Sequence, residues 1–188
     1  MPKKQNKSAE HELQFNVAQL LKEATGATRQ YDINTNIISK LDDDITVVSP
    51  IVGQINFLRT GSDILVTGLL DTTVQEACGR CLTPFTSSVS FELEEQFYPT
   101  VDVISGTALP SPPDEDEANR INLQHILDLL EVVRQGISLE SDVTLYCKPD
   151  CQGLCPQCGQ DRNTDPCTCE ADEIDIRWAG LQALQIED

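Results

Sequence analysis

The chain has 188 residues, of which 39% are hydrophobic, and its formal net charge is −18 at pH 7. This length is sufficient to bury a core in one medium domain or two small ones. The excess of acidic residues disfavours direct binding to a nucleic-acid backbone, which requires clustered cations, and favours basic partners. No run approaches twenty apolar residues, so we predict no membrane span.

The first part of the chain is predicted to contain a tail and a short helix. Residues 1–12 are polar, and we expect them to be disordered. They contain no apolar stretch of the kind that a secretory signal needs, so we expect a cytoplasmic protein with reduced thiols. Apolar residues at helical spacing over about 15–24 predict an amphipathic helix or turn that ends at Gly26.

Residues 13–99 are predicted to form a β-rich region. Apolar and polar residues alternate from about 45 to 98, as in strands with one buried face. The three predicted strands cover about 51–57, 64–74 and 85–93. The expected fold class is therefore α+β, with an antiparallel β meander that is either open or barrel-like. Cys78 and Cys81 fall at the connection between the second and third strands.

The second half of the chain is predicted to consist of a linker, a helix and a cysteine-rich lobe. Residues 100–119 are acidic and rich in proline, which is typical of a linker or loop, and residues 120–188 contain the helix and the lobe. Apolar residues recur at spacings of three and four over 121–139, which predicts one amphipathic helix. We expect Asn119 or Asn122 to cap this helix and Gly136 to mark its end.

Both histidines and the C-terminal apolar residues are expected to be structural. His11 is predicted to be solvated in the tail, and His125 to be a satisfied or exposed helix histidine rather than a metal ligand. Trp178, Leu181 and Leu184 are predicted to pack on the body of the protein, with a partner contact as the alternative.

The eight cysteines predict structural zinc sites. Cys78 and Cys81 form one Cys-x-x-Cys pair, and six more cysteines lie within residues 147–169, here called the cysteine-rich segment: Cys147, Cys151, Cys155, Cys158, Cys167 and Cys169. Thiolates at such spacing suit tetrahedral Zn²⁺. The glycine after Cys158 permits a turn with positive φ that brings backbone N–H groups toward the sulfurs.

Eight thiols allow two zinc sites of four ligands each. The loop between Cys158 and Cys167 has only eight residues, so local closure favours a set of Cys155, Cys158, Cys167 and Cys169. The other set would then be Cys78, Cys81, Cys147 and Cys151, which closes a long loop at an entropy cost that grows only logarithmically. In the alternative pairing, Cys78 and Cys81 share an ion with Cys155 and Cys158.

Other chemistry for these residues is less well supported. Disulfides require an oxidising compartment. A redox Cys-x-x-Cys motif should open a helix in a βαβ unit, whereas Cys78 and Cys81 lie between predicted strands. Arg80 is expected to be a solvated charge that balances thiolates, with a partner contact as the alternative. No catalytic arrangement of nucleophile and base is evident, and four-thiolate sites lack the open coordination position of a catalytic zinc, so we expect no enzymatic activity.

Several motifs together resemble the YceD-like family of large ribosomal RNA subunit accumulation proteins. They are Phe15–Leu21, Cys78–Leu82 with Phe85, Glu94–Tyr98, Cys151–Gly159 with Asn163, Cys167–Cys169 and Arg177–Leu181. The resemblance covers roughly residues 15–184 and implies a role in accumulation of 23S ribosomal RNA and in large-subunit biogenesis. The chain departs from the family pattern at Ile137–Ser141 and lacks the usual lysines near Leu184.

The acidic charge shapes the expected mechanism. We expect a non-enzymatic factor with two structural zinc ions, which binds a basic ribosomal protein or assembly factor and so protects the RNA indirectly. The alternatives are a direct RNA-binding zinc module, which the net charge of −18 disfavours, and a thiol redox or metal-sensing protein, which closed four-cysteine sites disfavour.

Overall fold

The computed structural model describes residues 12–41, 45–110, 117–141, 146–169 and 177. Several predictions therefore concern residues outside the described part of the chain. These are the disordered tail, the solvated His11, most of the acidic run at 114–117, and the packing of Trp178, Leu181 and Leu184.

A central antiparallel meander confirms the α+β fold class. It consists of β4 (Ile51–Thr60), β5 (Asp63–Ala77) and β6 (Pro84–Pro99), paired in sequence order through tight connections. Alternate residues point to one face, so that Ile55, Val66 and Phe91 are buried together there. The period of two in the sequence therefore reports correctly on which face of each strand is in the core.

Shorter strands extend this meander into an open sheet. β2 (Thr28–Thr35) pairs with β4, β3 (Thr46–Val47) pairs with β5, and β7 (Arg120–Ile121) pairs in parallel with β6. The strand order is β2-β4-β5-β6-β7, with β3 beside β5. Because no pairing joins β2 to β7 within the described residues, the open form of the predicted meander is the correct one rather than the barrel.

The short helix or turn predicted over about 15–24 is confirmed only in its middle part. The segment forms β1 (Gln14–Asn16) and then a short helix, α1 (Ala18–Lys22), which ends before Gly26. β1 pairs with β8 (Ile126–Asp128), and this pairing places Phe15 opposite Leu127. The Phe15 ring also packs 4.8 Å from that of Tyr31 and 5.1 Å from that of Phe57. These contacts, distant in sequence, override the local helical spacing.

The helix predicted over 121–139 begins nine residues later. The observed helix, α2, spans Leu130–Glu140. Asn122 closes a turn instead of capping a helix. Its side-chain oxygen accepts hydrogen bonds from the backbone N–H groups of Gln124 and Ile126. His125 lies in that turn with φ 57°, not on a helix, and its Nδ1 is buried with no hydrogen-bond partner among the described residues. The prediction of a satisfied or exposed histidine on a helix is therefore wrong.

Gly136 lies inside α2 and does not end it. A Cβ atom at this position would lie 2.5 Å from Cδ2 of Phe91, whose ring is buried in the core against the helix. Glycine is thus required by the close approach of α2 to β6 and not by a turn. The buried residues Val132, Val133 and Ile137 of α2 face the same side and complete the core.

Residues 102–107 of the predicted linker form a hydrogen-bonded turn. Asp102 Oδ1 accepts hydrogen bonds from the backbone N–H groups of Ile104 and Ser105 and from the Ser105 hydroxyl. The N–H and hydroxyl of Ser105, followed by the N–H of Ile104, hold the pKa of this carboxyl below its usual value. Neither helix in the described part of the chain has the length and apolar character needed to cross a membrane.

Candidate metal centre

Cys78, Cys81, Cys147 and Cys151 form a first thiol set at the far end of the meander. Their four sulfur atoms all lie within 4.8 Å of one another. The Sγ atoms of Cys78 and Cys151 are 3.8 Å apart, and those of Cys81 and Cys147 are 3.6 Å apart. A Zn–S bond of about 2.3 Å in tetrahedral geometry gives a sulfur–sulfur edge of about 3.8 Å. The spacing of this set therefore fits a single zinc ion.

The connection between β5 and β6 presents the first pair of thiols. β5 ends at Ala77, and the chain turns back through Cys78–Cys81 before β6 begins at Pro84. The N–H of Leu82 donates to the Cys78 carbonyl at 2.9 Å, and the N–H of Cys78 donates to the Thr83 carbonyl at 3.0 Å. Leu82 adopts φ 59° to close this turn. Strand pairing thus fixes the position of Cys78 and Cys81.

Backbone N–H groups provide a polar environment for the Cys78 sulfur. Those of Arg80 and Cys147 each donate to Cys78 Sγ at 3.4 Å. Burial raises the pKa of the Cys78 thiol, but the N–H groups of Cys147, Cys81 and Arg80 outweigh this effect and bring the pKa to about 6. Burial and the neighbouring Cys81 thiol raise the pKa of Cys147 to about 12. One thiol of this crowded set thus ionises readily, whereas its neighbour resists ionisation. A bound cation would compensate the negative charge of four thiolates.

Arg80 connects the first Cys-x-x-Cys turn to the cysteine-rich segment. Its guanidinium donates to the Cys151 carbonyl at 3.1 Å and lies 3.9 Å above the centre of the Tyr146 ring. Its own carbonyl accepts from the N–H of Leu154 at 3.1 Å. Arg80 is exposed, as expected of a solvated charge, and its guanidinium also has specific intramolecular partners. A contact between Arg80 and another molecule stays a prediction.

Cys155, Cys158, Cys167 and Cys169 form a second thiol set. Their sulfur atoms likewise lie within 4.8 Å of one another. Gly159 adopts φ 73°, as the sequence predicts, and its N–H donates to the Cys155 carbonyl at 2.8 Å. The backbone N–H groups of Cys158 and Gln157 lower the pKa of Cys155 to about 6, whereas hydrogen bonding with Cys158 and burial raise the pKa of Cys169 to about 12.

The two sets differ in exposure. In the first set, Cys78, Cys81 and Cys151 are buried, and Cys147 is half-buried. In the second set only Cys155 is buried, whereas Cys158 and Cys169 are exposed. The structure thus groups the eight thiols in the two sets of four that the loop lengths favour, and it does not bring Cys78 and Cys81 together with Cys155 and Cys158.

Asn163 links the loop of the second set to a sulfur of the first, and sequence reasoning assigned it no role beyond its place in the family resemblance. Its Nδ2 lies 3.4 Å from Cys151 Sγ, and its Oδ1 accepts from the N–H of Gln152 at 3.0 Å. Asp161 orients the amide by accepting from Nδ2 at 2.7 Å. No spacing rule could identify this residue, because the contact depends on the three-dimensional path of the loop between Cys158 and Cys167.

The fold and these sets define a class: an α+β protein with two groups of four thiols, one of which joins a β-turn to a C-terminal segment. A family model described as "Large ribosomal RNA subunit accumulation protein YceD" matches residues 66–185. This match covers more than half of the chain and all eight cysteines, and the chain belongs to this family. The resemblance deduced from the sequence motifs is confirmed.

Individual relatives are moderately similar to the chain. Uncharacterized proteins of Mycobacterium bovis and Mycobacterium tuberculosis are 35% identical over 119 residues, which make up 63% of this chain and 54% of each relative. A Zea mays protein named "Large ribosomal RNA subunit accumulation protein YCED homolog 1, chloroplastic" is 26% identical over 144 residues, 65% of this chain and 49% of that protein. The chain spans about half the length of these relatives. No solved structure matches it.

Proposed function

We propose that this protein supports the accumulation of 23S ribosomal RNA, and hence the biogenesis of the large ribosomal subunit, without catalysing a reaction. Membership of a family described by large ribosomal RNA subunit accumulation carries this proposal. The name of the Zea mays relative supports it. Because the family is described by an effect on RNA and not by a reaction, the proposal assigns no substrate. We propose the cytoplasm as its location.

Two structural zinc ions are part of the proposal. The donor sets consist of four thiols each, and four thiolates are typical of closed structural zinc sites. All four coordination positions would be filled by the chain, which leaves none for a reacting water or substrate. The first thiol set would hold residues 147–151 against the end of the meander, and the second would close the loop between Cys158 and Cys167.

A basic protein partner is the proposed route to the RNA. The chain carries 31 Asp and Glu against 13 Lys and Arg, so an approach to RNA phosphates meets repulsion between like charges. The same charge attracts a Lys- and Arg-rich ribosomal protein or assembly factor and steers its approach. Binding of such a partner would affect RNA accumulation without direct contact with the RNA.

Complementation tests the cellular role. In a host that lacks its own family member, the wild-type chain should restore the ratio of 23S to 16S ribosomal RNA, and the double variant Cys78→Ser, Cys81→Ser should not. The variant Ser138→Ala, changed at an exposed position of α2 away from both thiol sets, serves as the control and should restore the ratio. If the wild-type chain is expressed at a normal level and the ratio of 23S to 16S ribosomal RNA stays as it was in the host without it, the proposal is contradicted.

Binding experiments with purified components test the route. We expect no binding to a 23S ribosomal RNA fragment at about 150 mM salt and protein concentrations up to about 10 μM, where weak non-specific affinities begin. We expect binding to at least one basic protein from an RNA-free extract of the large subunit. Tight RNA binding by nuclease-treated, repurified protein would overturn the indirect route in favour of a direct RNA-binding module.

A further inference from the structure

The solvent-facing side of the central sheet has the composition of a binding surface. We call it the outer face, and it consists of the residues of β2, β4, β5 and β6 that alternate with the buried ones. Leu69 lies at its centre, on β5, paired with Gln54 of β4 on one side and with Glu92 of β6 on the other. The outer face is therefore a continuous four-stranded surface and not a set of separate side chains.

Two large apolar side chains are exposed in the middle of this face. Leu69 is 51% exposed and Val52 is 40% exposed, although both lie on interior strands of the sheet. The solvent-facing side of an antiparallel sheet is ordinarily polar. An apolar centre surrounded by polar side chains is instead the arrangement of a protein–protein interface.

The charges around that centre are all of one sign. Asp32, Asp71, Glu92 and Glu94 occupy outer positions of β2, β5 and β6, and no outer position of the four strands holds Lys or Arg. Asp71 is directly opposite Val52, and Glu92 is directly opposite Leu69. Residues directly opposite on neighbouring strands have Cβ atoms about 4.5–5.5 Å apart, so each exposed apolar side chain has a carboxylate beside it.

This combination selects the occupant. A second copy of the chain would bring the same acidic residues, and a net charge of −18, against this face. RNA would bring phosphates against it. A protein segment with Lys or Arg side chains flanking an apolar residue would instead satisfy both the carboxylates and the Leu69–Val52 centre.

We propose that the outer face is the docking surface for a Lys- and Arg-rich protein segment. This inference rests on the proposed function, because it gives a location to the basic partner proposed there. The apolar anchor of that segment packs on Leu69 and Val52, and its cations pair with Glu92, Glu94 and Asp71.

Charge reversal with a matched control tests the surface. The double variant Glu92→Lys, Glu94→Lys changes the net charge by the same amount as the control Glu140→Lys, Asp165→Lys, whose sites are exposed but lie on α2 and in the cysteine-rich segment. The probe is the RNA-free protein extract of the large subunit, fractionated into single proteins. The retained protein is the protein of this extract that the wild-type chain binds. We expect the outer-face variant to bind it at least about tenfold more weakly, a loss of about 1.4 kcal/mol. The affinity of the control should be much closer to that of wild type.

A photo-crosslinking amino acid in place of Leu69 identifies what contacts the face. We expect crosslinks to a Lys- and Arg-rich segment of the retained protein. Crosslinks to a second copy, or to residues 1–11 with their three lysines, would overturn the proposal. Thermal unfolding of each variant checks that it folds, and Leu69→Ser, which adds no charge, provides a second test if the double variant does not.

The outcomes separate the two proposals. If the wild-type chain binds no basic protein, the indirect route itself fails, and the outer-face inference fails with it. If the wild-type chain and the outer-face variant bind the same protein equally well, the basic partner stands and the assignment of the outer face is overturned.

Discussion

The amide of Asn163 donates a hydrogen bond to the sulfur of Cys151 across 3.4 Å. Cys151 is a member of the first thiol set, whereas Asn163 lies in the loop that the second set closes. A donor that holds a metal-ligating side chain usually affects metal affinity almost as much as a ligand does. This side chain therefore links the loop of the second set to a sulfur of the first.

Replacement of Asn163 by Ala is expected to weaken metal binding at the first thiol set by about 10- to 100-fold. The variant removes the hydrogen bond to Cys151 and the acceptor for the Gln152 N–H but leaves all eight cysteines in place. Competition with a chromophoric zinc chelator measures the affinity. Ser138→Ala, on α2 away from both thiol sets, should behave as wild type, and equal affinities for Asn163→Ala and wild type would show that the hydrogen bond does not contribute.

Protein purified without chelator is expected to contain about two zinc ions per chain, one for each set of four thiols. Elemental analysis gives the stoichiometry, and thiol titration gives the number of accessible cysteines. A metal content near zero, together with eight freely titratable thiols, would contradict two structural zinc sites.

Single cysteine variants are expected to remove one ion each from different sites. Cys167→Ser should lower the zinc content by about one and leave the first set occupied, whereas Cys78→Ser should empty the first set and leave the second. A variant that combines Cys78→Ser with Cys167→Ser should contain close to no zinc. If Cys78→Ser and Cys158→Ser together remove only one ion, the two residues share a site and the grouping is incorrect.

Chelation is expected to remove the ion of the second set first, because Cys158 and Cys169 are exposed and the first set is mostly buried. Hydrogen exchange measured by mass spectrometry during chelation should show faster exchange in residues 153–169 before any change in β4, β5 and β6. Simultaneous loss of protection in the meander would mean that the fold of the sheet depends on both ions.

Gly136→Ala is expected to destabilise the protein by about 1–3 kcal/mol, the usual cost of overpacking a core. In an exposed helix the same change would stabilise by up to about 1 kcal/mol, but here the new methyl group meets the buried ring of Phe91 at 2.5 Å. Chemical denaturation at saturating zinc measures the free energy of unfolding. Ser138→Ala, at an exposed position of α2, is the control and should not destabilise.

A second change distinguishes the clash from other effects of the alanine. Adding Phe91→Leu to Gly136→Ala makes room for the methyl group, so the double variant should be more stable than the sum of the two single changes predicts. Strict additivity would mean that Phe91 is not the cause.

The meander and the second thiol set were predictable from sequence because both depend on local information, and the first set follows as the four remaining thiols. The alternation over β4, β5 and β6 reports directly on a buried face, and the eight-residue loop before Cys167 limits which sulfurs can meet. Both predicted helices began too early in the chain. In each case a short strand, β1 or β8, precedes the helix, and its apolar residues happen to continue the spacing of three and four. Leu123, an apolar residue within the helix predicted over 121–139, lies outside α2 and is 64% exposed.

The remaining features depend on contacts between distant segments. Phe15 belongs to a strand because Leu127 lies opposite it, and nothing within residues 13–24 indicates that partner. Gly136 has the appearance of a helix end in the sequence, and only the position of Phe91 reveals its packing role. Asn163 acquires its role in the same way, from a sulfur twelve positions earlier in the chain.

The first thiol set has a consequence for synthesis on the ribosome. Cys81 and Cys151 are 70 positions apart, so at an elongation rate of roughly 5–20 residues per second the early pair waits roughly 4–14 s for its partners. Throughout that interval the nascent chain exposes two thiols and an incomplete ligand set. Cells short of zinc, or under oxidative stress, should therefore lose newly made copies of this protein before they lose the folded ones.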